Sequence, residues 1–199
     1  MSRILIPAAL AVALAASTAH AQATANPQAG TPVNPRATAP AAAAQSFDVL
    51  FAQAAAASGL GEVAVGEIGQ RKATDTRLQE FSRRVVADHS KMNKELMTLA
   101  SQKGIPLPAD FDARSKFCLE SLSGEPKETF DRCYAKAQLA IHLEAVGAFE
   151  AEVKHGRDQD VKALAAKALP KIKEHLQMLK PIVKEFEREH EDQAEKTGS

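Results

Sequence analysis

Residues 78–96 read LQEFSRRVVADHSKMNKEL, and the spacing in this stretch decides the fold. Leu78, Phe81, Val85, Met92 and Leu96 recur at intervals that place them on one face of an α-helix, and the strip continues to Leu99. His89 falls inside the strip, between Val85 and Met92. Upstream, the cluster Thr74-Asp75-Thr76 offers an N-cap oxygen, and downstream Gly104 with Pro106 stops the helix near Lys103. A helix this long with one apolar face must bury that face against others.

Three partners can be read outward from it. A first helix over 47–72 has Leu50, Ala54, Ala57, Val65 and Ile68 near one face. Its glycines at 59, 61, 66 and 69 each weaken it by about 1 kcal/mol relative to Ala, so it needs tertiary packing or breaks near Gly59–Gly61. A third, over about 128–154, turns Phe130, Tyr134, Ala137, Ile141, Ala145 and Phe149 inward. A fourth begins near Gln159 behind a capping Asp158 and buries Val161, Leu164, Ala168, Ile172, Leu179, Val183 and Phe186. Pro170 removes the bond to the Ala166 carbonyl and predicts a kink, with Pro181 a second disturbance. The connection over 104–126 is long and holds a short helix near 111–122. Two short links and one long one predict an all-α, ferritin-like antiparallel four-helix bundle with a crossover between the second and third helices.

The flanks differ in kind. Met1-Ser2-Arg3, an apolar run over 4–16 and Ala19-His20-Ala21 read as a signal peptide over 1–21 with cleavage near Ala21. The run is shorter than the roughly 20 residues a membrane span needs, and no Cys follows it to take a lipid. A periplasmic or secreted protein with no integral span after cleavage is expected. Residues 22–45 are Ala- and Pro-rich without an apolar period and read as a disordered tether. Residues 46–190 form the bundle domain, and 191–199 read as a disordered charged tail.

The chain holds 25 basic and 25 acidic side chains, which gives no support to nucleic-acid binding. There is no Gly-x-Ser-x-Gly and no phosphate loop, so the reading leans away from an enzyme. Cys118 and Cys133 are the only cysteines. An even count in an oxidising compartment allows a disulfide between them, and two buried free thiols are the other reading.

One polar residue interrupts or borders each apolar strip near the middle of its helix: Glu62, His89, His142 and His175. Antiparallel packing brings four mid-helix positions to one level. Buried groups of this kind are costly unless paired or coordinated. They can hold one transition-metal ion (zinc, iron, copper or manganese), or form a Glu–His hydrogen-bond network that only fixes packing. Asp88, Asp131, Tyr134 and Glu144 are candidates to support them from behind. A carboxylate-bridged di-iron site needs Glu-x-x-His on two helices, and Val86, Leu139 and Ile172 stand where those acids belong.

The stretches FAQAAAASGLGEVAVGEIG, LQEFSRRVVADHSKMNKEL, FDRCYAKAQLAIHLEAVGAFE and AAKALPKIKEHLQML resemble the bacterial exported family called domain of unknown function 4142, assigned to the ferritin-like superfamily. The resemblance covers about residues 47–180 and puts Glu62, Asp88, His89, Asp131, Tyr134, His142 and His175 at the family's polar positions. SGEPKETFD carries extra residues relative to the family's compact turn, and the two cysteines are not typical of it. Two roles are expected: a metal-binding bundle in metal handling or envelope stress, or a non-enzymatic bundle that contacts an envelope partner.

Overall fold

The computed structural model describes residues 45–197. The expected signal peptide, nearly all of the expected tether and the final two residues lie outside them. Five helices follow in order: α1 (Phe47–Lys72), α2 (Thr76–Lys103), α3 (Ala113–Gly124), α4 (Lys127–His155) and α5 (Gln159–Thr197), with no strand among the described residues. The capping chemistry sets most boundaries. Ser46 Oγ accepts from Val49 N, Asp75 from Arg77 N and Asp112 from Ser115 N, each satisfying an otherwise unpaired first-turn N–H. Gly104 ends α2 in the left-handed region (φ 65°), where a Cβ would be strained.

α1 and α2 form one hairpin and α4 and α5 the other, with α3 packed on α1 within the long crossover. Gly59 meets Asn93 and Gly69 meets Ser82, so α1 and α2 run antiparallel. Pairs Arg77–Glu185 and Lys167–Glu95 set α2 against α5 in the same sense. α1 also packs on α4, as Phe51 does on Phe149 with centroids 4.9 Å apart. The result is the expected four-helix bundle with its extra crossover helix. Two buried or half-buried acids pin its ends. Asp131 accepts from Thr74 N and Asp75 N at the α1–α2 turn, and Asp48 accepts from Arg157 N and Asp158 N at the α4–α5 turn.

The apolar core lies in two parts. Val65, Ile68, Leu78, Phe81, Val85, Phe130, Tyr134 and Leu179 fill one half, and Phe51, Ala52, Ala56, Leu96, Val161 and Ala165 the other. Between them lie buried Glu62, His89, Gln138, His142 and His175.

The structure decides between some of the alternatives left open and corrects other expectations. α1 is unbroken through its glycines because they are approach points: a Cβ on Gly69 would meet Tyr134 and Ser82, and one on Gly61 would meet Ser115. In its first half α1 buries Phe51, Ala52 and Ala56, while Leu50 and Ala54 are exposed. With alanines all round, α1 shows no face until a neighbour chooses one. α5 continues as helix through both prolines to Thr197, across most of the tail expected to be disordered. Cys118 and Cys133 are free thiols. The Cys133 thiol faces the Glu125 carboxylate at 3.4 Å, whereas Cys118 lines a pocket on α3, so no disulfide joins them.

By length and composition α1 is apolar enough to cross a bilayer. Here the same helix carries buried Glu62 and packs on α2, α3 and α4.

Candidate metal centre

The register of α2, α4 and α5 brings His89, His142 and His175 to one interior level. All three rings are buried, and their centroids form a near-equilateral triangle with sides of 5.8, 5.6 and 5.3 Å. One nitrogen from each lies within 4.8 Å of the other two. The Phe81 ring forms one wall, meeting His142 and His175 edge-on at 5.6 and 6.2 Å.

The outer nitrogens are already committed. His142 Nδ1 lies 2.9 Å from the Gln138 carbonyl, one turn back on α4, and His175 Nε2 lies 3.0 Å from Asp88 Oδ2 on α2. A carbonyl and a carboxylate only accept, so each of these nitrogens carries the proton. The inner nitrogens, His142 Nε2 and His175 Nδ1, then face each other with lone pairs at 3.3 Å. His89 Nε2 is buried with no partner among the described residues. Two lone pairs at that distance repel unless a cation or proton lies between them. Nitrogens bound tetrahedrally at about 2.0–2.1 Å sit about 3.3 Å apart, so the His142–His175 pair has a metal's spacing, while the three-nitrogen set reaches 4.8 Å and closes on one ion only with a small movement of a ring.

Electrostatics keep the rings neutral and competent to donate. Burial, with the two other imidazoles adding to it, drives His89 well below the usual imidazole value. Burial and the neighbouring His175 take His142 down to about 4, against the pull of the Gln138 carbonyl. His175 is also lowered by burial, with Asp88 opposing.

Glu62 sits beside this triad without joining it. Its Oε1 is 3.5 Å from His142 Nδ1, on the ring edge that bonds Gln138 and away from the inner nitrogen. Burial raises its carboxyl to about 8, against the Gln138 amide and Arg114, so it is protonated at neutral pH. Of the four supporting candidates, only Asp88 touches a triad histidine. Asp131 serves the α1–α2 turn and Glu144 pairs with Arg114 on the surface. Tyr134 bonds Ser82 at 2.8 Å and stacks on Phe130, separated from the histidines by the Phe81 ring. Sequence reasoning missed the role of Gln138, whose main-chain oxygen orients His142. Its place one turn before that histidine on the same face was the available signal.

The sequence matches the model of the family described as Domain of unknown function (DUF4142) over residues 33–182. The chain belongs to this family. Solved structures similar to this DUF4142 chain include a DUF305 fragment from Deinococcus radiodurans, at TM-score 0.63 and 12% identity, covering 71% of this chain and 98% of that one. CopM in the Cu(I)-bound form aligns with TM-score 0.60 and 16% identity over 71% of this chain and 99% of CopM. CopM in the Cu(II)-bound form gives 0.62, 17%, 72% and 99%. At these identities the likeness shows a shared helical-bundle fold. No curated protein matches significantly.

Proposed function

We propose that this chain is an exported, ferritin-like bundle that holds one transition-metal ion on His89, His142 and His175, in metal handling or envelope stress. The observation that carries the reading is the pair of inner nitrogens, whose flanking partners leave both lone pairs facing one point at 3.3 Å. Imidazole suits copper, zinc and iron, and three protein nitrogens leave a coordination position open. CopM is described as copper-bound, which makes copper the first ion to test. Export rests on the pattern of residues 1–21. Amino-terminal sequencing of the protein from an envelope fraction should begin at Gln22.

The test is metal stoichiometry of the untagged mature protein after dialysis against copper or zinc. About one ion per chain is expected, falling to near zero in His142→Ala and His175→Ala. No bound ion, or loading indifferent to both substitutions, would overturn the reading. A structural network alone predicts that melting temperature is unmoved by adding or chelating metal.

A further inference from the structure

A pocket of about 590 Å³ reaches His89 from the side of the bundle where Phe47 and Leu50 are exposed. Its size falls within the roughly 300–1,000 Å³ of small-molecule sites. Leu50, Phe51, Ala145, Phe149, Leu164 and Ile172 supply apolar wall. Polar groups are a minority of the wall, and the Asp112 carboxylate there is engaged by Ser115 N at the start of α3. Arg114 is ion-paired with Glu144, so the charge of each is already answered. Asn93, one turn beyond His89 on α2, packs its oxygen where Gly59 lacks a Cβ. That leaves Asn93 Nδ2 buried with no acceptor among the described residues. His89, nine-tenths buried, closes the inner end with its own unpartnered nitrogen. A buried donor without a partner is costly, and a small turn of the Asn93 side chain toward the pocket it lines would let a ligand oxygen satisfy it.

We infer that this pocket binds a neutral amphiphile, a medium-length alkyl chain along the apolar wall with one oxygen acceptor at Asn93 Nδ2. A neutral head is favoured over a carboxylate because Arg114 is neutralised by Glu144 and no other Lys or Arg lines the pocket among the described residues. An anion there would lose its hydration with no counter-charge to replace it. The inference goes beyond the metal reading and does not rest on it.

The test titrates the EDTA-treated mature chain with 1-decanol and with decanoate, by calorimetry and by displacement of Nile red. One site per chain is expected, with decanol bound at least about tenfold more tightly than decanoate. Ala145→Phe and Ala148→Phe fill the pocket from α4, and each should weaken decanol about tenfold or more. Asn93→Leu should weaken it about fivefold by removing the hydrogen bond. Circular dichroism checks that each variant folds. Absence of saturable heat, decanoate binding as well as decanol, or affinity unchanged in both filled variants would overturn the inference. So would a dimer in sedimentation with no decanol uptake, because a second copy would then cover this face. Copper loading is measured on the same preparations. Loading without decanol uptake sinks this inference alone, and uptake without loading sinks only the metal reading.

Discussion

Asp88 on α2 reaches across to α5 and meets His175 Nε2 at 3.0 Å, with Arg84 Nε 3.9 Å from the same carboxylate oxygen. The contact fixes which nitrogen of His175 is protonated and turns the other toward the triad. An imidazole left to rotate would spend part of its time with the wrong nitrogen inward. Carboxylate support of this kind is worth about 10–100-fold in metal affinity where it has been removed. Asp88→Asn should therefore weaken copper or zinc binding by about that factor while the fold persists. Competition against a chelator of known affinity measures it, and an unchanged constant would show that Asp88 does not position the ring.

Glu62 carries a separate consequence. Its carboxyl is raised to about 8 by burial, so the folded chain keeps a proton that the unfolded chain gives up above about 4.5. Between those values the unfolded state binds fewer protons, and stability falls as pH rises. Glu62→Gln removes this titration. The variant should gain about 1–3 kcal/mol on wild type at pH 8 and little at pH 4. Thermal melts at the two pH values decide it, and a gain of equal size at both would refute the assignment.

The histidines act in the opposite sense. His142 is lowered to about 4 in the folded chain, while the unfolded chain takes up its proton near the ordinary value of 6.5. Folding then becomes less favourable as pH falls from about 6.5 toward 4. His142→Gln should flatten that acid limb of the stability curve. Denaturant midpoints of the metal-free protein across this range are the measurement.

Gly69 lets α1 approach the half of the core that holds Phe81 and Tyr134. A Cβ there would collide with the Tyr134 hydroxyl end and the Ser82 hydroxyl, both fully buried. Alanine normally favours a helix by about 1 kcal/mol over glycine, and overpacking costs about 1–3 kcal/mol. Gly69→Ala should therefore leave stability unimproved or reduce it by up to about 2 kcal/mol. Chemical denaturation would contradict the packing if the variant gained the full helical benefit.

The two free thiols make a fifth expectation. Burial raises the Cys118 thiol, and burial with the Glu125 carboxylate raises Cys133. Both should react slowly with a disulfide reagent in the folded protein. A reductant should leave the melting temperature unchanged, whereas losing a real disulfide would cost about 2–4 kcal/mol.

The sequence by itself determined the helical character, the number of long helices, the crossover and the level at which polar residues meet. These follow from periodicity, capping residues and link lengths, which act within a few residues of one another. Leu78, Phe81, Val85 and Leu96 are buried as the strip in α2 predicts. Tertiary structure alone decided which face of α1 is buried, because alanine and glycine on every side carry no preference until Tyr134, Ser82 and Asn93 dock against it. It also decided that Glu62 lies behind His142, since helical spacing gives a side chain's level and approximate direction but not which edge of an imidazole it meets. That edge depends on the Gln138 carbonyl and Asp88, groups set by how α2, α4 and α5 rotate against one another. The triad was legible as three levels on three strips, and its convergence is a property of packing.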